Sequence, residues 1–156
     1  MSSQKYNFNG KVALVTGSSS GIGAAIAIQF AQYGASVTIT GRDASALGKV
    51  SEEVKKASGK EPLQFVGDLM EPGFTRKLVS ETVAKFGQLN FLINNAGWST
   101  PNGKLDDPNL MEMFDKVMGL NTRTVVELTQ LSIPHLEKTK GNIVNMSSIA
   151  AIVPVS

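Results

Sequence analysis

The chain has 156 residues, no cysteine, and 15 basic against 13 acidic side chains for a net charge of +2. Its length suffices for one domain with a core, and so small and dispersed a charge gives no footing for nucleic acid. Without cysteine there are no disulfides, no thiol catalysis and no zinc–thiolate site, and no metal site is read elsewhere.

Residues 1–10 are polar and lack the apolar centre of a signal peptide, and no apolar stretch is long enough to span a bilayer. The expectation is a soluble cytoplasmic protein with no membrane partner. The first predicted strand, 11–16, contains the buried-type run Val12-Ala13-Leu14-Val15. It turns through Thr16-Gly17-Ser18-Ser19-Ser20-Gly21-Ile22-Gly23 into a predicted helix over 21–33, with Ile22, Ile26 and Phe30 at helical spacing. Such a turn aims backbone N–H groups and the positive helix end at one point, a seat for phosphate. Glycine is needed there because a Cβ would block the turn and hold an anion off the backbone. A nucleotide cofactor is the expected ligand, with Gly17, Ser19, Ser20, Gly21, Ile22 and Gly23 as its first contacts. Standing alone, the loop is also compatible with a tight turn that binds nothing.

The second predicted strand, 35–40, leads into Gly41-Arg42-Asp43. Dinucleotide folds that prefer NAD place an acid here to bond the ribose 2′-hydroxyl. A guanidinium suits a 2′-phosphate instead, and a charge-assisted contact of roughly 1.5–3 kcal/mol favours NADP(H) over NAD(H) by roughly 10- to 100-fold. Arg42 is thus the candidate selectivity residue, and the alternative is a solvated loop arginine. Asp43 is expected to cap the helix predicted over 44–58. A third strand over 63–67 ends at Gly67-Asp68-Leu69, where a carboxylate can accept from an adenine amino group or simply hold a turn. A helix over 72–86 and a strand over 89–94 follow. Asn94-Asn95-Ala96-Gly97 then lets backbone approach a ligand while its amides tie strand ends together.

A long helix is predicted over 108–135. Phe114, Val117, Met118, Val125 and Leu128 form an apolar stripe on which Asn121 falls, so Asn121 should be buried and hydrogen-bonded, either as a satisfied core amide or within a site. Gly119 permits a local distortion beside it. His135, at the expected helix end, reads as a surface or capping residue. The last strand, 141–146, leads to Ser147-Ser148 at a strand carboxyl end, where folds of this kind bind ligands; the alternative is a pair of turn residues, and no partner base is evident.

Strands alternate strictly with helices, and they are short, apolar and not cleanly alternating. The expected fold is α/β: a Rossmann-type doubly wound parallel sheet in one domain over residues 1–156. Right-handed crossovers leave one face of the later strands without a covering helix. Phe91, Leu92, Ile93, Ile143, Val144 and Met146 point to apolar side chains on both faces there. The expectation is a front part of a longer protein, or a chain completed by a partner. The terminal run 152–156, without a closing helix, agrees with it.

In this order the motifs resemble the N-terminal portion of the short-chain dehydrogenase/reductase family, across nearly the whole chain. The resemblance rests on Thr16-Gly17 to Gly23, Asp68-Leu69, Asn94-Asn95-Ala96-Gly97, Asn121, and Ile143-Val144-Asn145-Met146-Ser147-Ser148. It implies seven strands, of which five are read here. It also implies hydride transfer between NAD(P)(H) and a small carbonyl or alcohol substrate, and a homo-oligomer at full length. Ser148 would hydrogen-bond the substrate oxygen, and Asn121 would hold a helix kink and a water in a proton relay. Arg42 resembles the mark of NADP-preferring members, although Ser20 stands where some of them carry a basic residue. The family's proton donor is the Tyr of a Tyr-x-x-x-Lys motif. Tyr6 is followed four residues on by Gly10 and Tyr33 by Val37, so neither makes it. By resemblance the motif lies beyond Ser156, and this chain alone is expected to have little or no activity. The alternative is a non-catalytic dinucleotide-binding or partner-binding short isoform. A signalling domain of similar topology lacks its expected acidic cluster.

Overall fold

The computed structural model describes residues 6–100, 104–149 and 152. The residues 153–156 of the terminal run therefore lie outside the described residues. Five strands form one sheet in the order β3-β2-β1-β4-β5: β1 Val12–Val15, β2 Ser36–Gly41, β3 Leu63–Val66, β4 Phe91–Asn94 and β5 Asn142–Asn145. All neighbours pair in parallel, with Ala13 opposite both Val37 and Phe91, and Ile93 opposite Val144. The order reverses between β1 and β4, as the doubly wound class requires, and carries every strand's carboxyl end to one edge.

Helices α1 Gly21–Gln32 and α2 Ala44–Ser58 cover one face of the sheet. Their core joins Val15, Val37, Ile39 and Ile93 to Ala24, Ala27, Ala31, Leu47 and Val54. Helix α1 buries Gly23, Ala24, Ala27 and Ala31, not a stripe through Ile22, which is 64% exposed. Only small side chains let this helix lie close enough to β1 for its first turn to meet the glycine loop; Ile26 and Phe30 pack at the margin. Asp43 caps α2 as expected, its Oδ1 accepting from the Ala46 N–H at 2.9 Å.

The other face carries α3 Phe74–Phe86 and α5 Thr124–Thr139, which close over Leu14, Leu78, Leu89, Leu92, Leu128 and Leu136. Helix α3 begins two residues later than expected, because Gly73 adopts a left-handed conformation (φ 81°) before it.

The long helix expected over 108–135 is three pieces. Helix α4 Leu110–Met118 and α5 are joined by a π-helical turn, Gly119–Arg123. The wider turn breaks the single helical period on which the apolar stripe rested. Phe114 and Met118 consequently stand 53% and 42% exposed, and α4 buries no residue. Asn121 is exposed rather than buried. His135 is half-buried inside α5, four residues short of its end.

The outer strands are less covered than their apolar composition suggests. β3 alternates between half-buried and exposed side chains, and β5 is mostly exposed. Ile143 packs against the α5 side, while Val144 on the α1 side is 41% exposed.

Candidate dinucleotide site

The site is built at the carboxyl edge of β1. Gly17 takes φ 63°, and a Cβ there would sit 2.8 Å from the Ala96 Cα. A Cβ on Gly23 would collide with the Gly17 carbonyl and the Asn95 amide, and one on Gly41 would lie 2.8 Å from the Ser19 side chain. The three glycines thus let loop 17–20, the start of α1, the end of β2 and the turn after β4 close onto one another. Ser20, the N-cap of α1, makes no side-chain capping bond, so its hydroxyl leaves the first-turn N–H groups to other acceptors.

Buried hydroxyls hold the loop. Thr16 Oγ1 accepts from the Asn95 and Ala96 N–H groups, each at 3.0 Å, and donates to the Ile93 carbonyl at 3.3 Å. Asn95 Nδ2 donates back to the Thr16 and Gly17 carbonyls at 2.9 and 3.1 Å. Ser18 Oγ donates to the Val15 carbonyl at 2.8 Å and accepts from the Thr40 N–H at 2.9 Å. Asn94 Nδ2 donates to Asn145 Oδ1 at 2.8 Å, tying β4 to β5. The amides of the Asn-Asn pair link strand ends as the sequence suggested.

Around these elements lies a cleft of about 290 Å³. It gathers the sequence candidates Gly17, Ser19, Ser20, Arg42, Asp68, Leu69, Asn95, Ala96 and Gly97. Gly21, Ile22 and Gly23 lie outside its lining: Gly23 packs underneath the loop, and Ile22 projects into solvent. Arg42 Nη1 stands 4.0 Å from Asp68 Oδ2, and Asp68 Oδ1 accepts from the Met70 N–H at 2.9 Å. Asp68 therefore does hold a turn, while also facing the cleft.

Asn121 does not line the cleft but fixes a residue that does. Its Oδ1 accepts from the Trp98 N–H at 2.9 Å and its Nδ2 donates to the Trp98 carbonyl at 2.8 Å. Lys116 Nζ lies 4.3 Å from the centroid of the Trp98 ring. Thr124 Oγ1 donates to the Gly119 carbonyl at 3.0 Å, satisfying an acceptor within the π turn. Ser148 is exposed just past β5, at the same sheet edge but outside the cleft lining.

Sequence reasoning missed Thr16 and Ser18 as the loop's anchors, and Met70, Trp98, Lys116 and Leu120 as lining. The first two are the polar residues in register with a strand end, a readable signal. Lys116 of α4 and Leu120 of the π turn reach the cleft beside the helix break, which no spacing shows.

The chain matches the family described as short chain dehydrogenase over residues 11–156. It is 36% identical to an L-fucose dehydrogenase of Rattus norvegicus over 146 residues, 94% of this chain and 52% of that protein. It is 35% identical over 150 residues to an 11-beta-hydroxysteroid dehydrogenase-like protein of Arabidopsis thaliana, covering 96% of this chain and 48% of that one. The chain thus spans about half the length of the curated relatives it matches. Among solved structures it resembles the apo-form of a Caenorhabditis elegans glucose dehydrogenase, with TM-score 0.80, 43% identity, and 92% of this chain and 56% of that chain covered. A cofactor-bound short-chain dehydrogenase/reductase of unknown function from the same organism superposes at TM-score 0.87 and 37% identity, covering 96% and 56%. Among the described residues no helix is long and apolar enough to cross a membrane.

Proposed function

The chain belongs to the short-chain dehydrogenase/reductase family, and from that premise we propose that it binds NADP(H) and serves hydride transfer between a carbonyl and an alcohol. One observation carries the reading. Gly17, Gly41, the uncapped N-cap Ser20 of α1 and Arg42 line a single cleft, so the glycine loop and a guanidinium face the same space.

The fit to a dinucleotide follows group by group. The backbone N–H groups of Ser19 and Ser20 and the positive end of α1 suit a diphosphate, while the Ser18 N–H is given to the Thr40 carbonyl at 2.9 Å. Arg42 suits a 2′-phosphate. Asp68 offers an acceptor to an adenine amino group beside Leu69. Ala96 and Gly97 are small enough for backbone to approach the other half of the molecule. When bound, the nicotinamide ring supplies or takes up the hydride. Ser148 would hydrogen-bond the substrate oxygen, and Asn121 would hold the π turn and a relay water. The 156 residues contain no Tyr-x-x-x-Lys, so the proton donor is assigned to residues other than these. The relatives' names differ in substrate, and the reading stays at the class of small carbonyl or alcohol compounds. Exposed Met111, Phe114, Met118, Val126 and Ile133 along α4 and α5 support association with a second copy.

Fluorescence titration of the native-length protein with NADPH and NADH tests the reading. The expected result is saturable binding of both, NADPH about tenfold tighter; no binding of either overturns it. The lack of Tyr-x-x-x-Lys favours a second reading, a non-catalytic chain that binds dinucleotide beside a longer partner. Intact mass of the protein from its native source separates the two. Peptides continuing into Tyr-x-x-x-Lys favour the enzyme, and a mass of 16.6 kDa favours the short form.

A further inference from the structure

We propose that Asp68 sets how strongly this chain prefers a 2′-phosphorylated dinucleotide, by competing with the phosphate for Arg42. The inference rests on the dinucleotide reading above and concerns the selectivity of that same site. Strands β2 and β3 are neighbours with Gly41 opposite Val66, and the Gly67 N–H donates to the Gly41 carbonyl at 3.1 Å. The ladder thus delivers the residues that follow, Arg42 and Asp68, to the same rim of the cleft.

The two oxygens of Asp68 have different duties. Oδ1 is fixed by the Met70 N–H at 2.9 Å, which orients the carboxylate and leaves Oδ2 4.0 Å from Arg42 Nη1. The Arg42 side chain is 67% exposed and that of Asp68 37%. The pair is therefore loose enough to part, yet close enough to hold the guanidinium toward the adenosine side of the cleft. A 2′-phosphate arriving at Arg42 must share it with a carboxylate or displace it. A dinucleotide with a free 2′-hydroxyl meets no such competitor. An acceptor for the adenine amino group serves both cofactors alike, so that role alone leaves the ratio of their affinities unchanged. Competition for Arg42 changes the ratio.

Asp68→Asn separates these roles, because the side-chain oxygen that receives the Met70 N–H is kept while the charge is removed. Dissociation constants for NADPH and NADH are measured on native-length protein with Arg42 intact and in an Arg42→Ala background. The expected result is a preference for NADPH that rises roughly two- to fivefold, the range of an exposed ion pair, and rises less when Arg42 is absent. An unchanged ratio, including equal weakening of both cofactors, overturns the inference and leaves Asp68 as an adenine acceptor. An equal rise in both backgrounds also overturns it, since the carboxylate then acts on the phosphate directly. If the unsubstituted protein binds neither cofactor, the dinucleotide reading itself falls.

Discussion

At Thr16 one buried hydroxyl serves three backbone groups, two N–H donors and one carbonyl, and so fixes where the turn after β4 meets the glycine loop. Valine has the same shape and none of the bonding. Thr16→Val leaves the Ala96 N–H without its acceptor, at about 1–3 kcal/mol, while the Asn95 N–H keeps the Ile93 carbonyl at 3.1 Å. Urea denaturation is expected to show a loss of about 1–3 kcal/mol; a stability unchanged within error would mean that the loop re-pairs. Arg42 acts differently, because it is exposed and holds nothing in the fold. Arg42→Ala is expected to leave stability unchanged and to lower the NADPH-over-NADH preference about tenfold, and a ratio that stays put removes the selectivity argument. Ser148 stands outside the cleft lining, as suits a group meant for substrate rather than for dinucleotide. In native-length protein Ser148→Ala is expected to cut turnover about a hundredfold or more with NADPH affinity kept, the scale of losing one well-placed hydrogen-bond donor. Unchanged turnover would withdraw its role.

The π turn shows what spacing along a sequence cannot carry. Helical spacing located α1, α2 and α3, and short apolar runs located all five strands, to within a few residues, because each is a regular element. Between α4 and α5 the period changes, and the stripe drawn through Phe114, Met118 and Asn121 assumes a continuity the helix does not have. Gly119 marked the place of a distortion, but neither its type nor its consequence was readable. With the break, Asn121 leaves the helix face and clamps the backbone of Trp98, 23 residues away in sequence. Asn121→Ala removes both bonds. Trp98 is the sole tryptophan of the chain, so its emission reports this contact directly. The expected outcome is a shift of the emission spectrum and faster acrylamide quenching with far-ultraviolet dichroism unchanged. An emission identical to that of the parent protein would place the hold on Trp98 elsewhere, on Lys116 above all.

Over the whole molecule the two faces of the sheet are finished unequally. The glycine loop, the doubly wound order and the strand-end polar residues were legible because each is local or follows from handedness. The exposed sides of β3 and β5 were not, since apolar composition alone does not say what packs on a strand. On the α5 side Ile143 joins a closed core. On the α1 side Val144, Ile93, Ile26, Phe8, Phe30 and Tyr33 line an apolar groove of about 330 Å³, and among the described residues no helix lies over it. β5 also stands at the sheet's edge, so an apolar hollow and an unpaired strand edge adjoin. Both features promote association through unsatisfied surface. Expressed as these 156 residues alone, the chain is therefore expected to bind a hydrophobic dye such as ANS and to self-associate at micromolar concentration. Val144→Lys, which places a charge on that face without touching the cofactor cleft, should reduce both. A dye-negative monomer in the unsubstituted chain would show that the aromatic cluster around Phe8 already seals the groove, and would remove the physical argument that something further must cover this face.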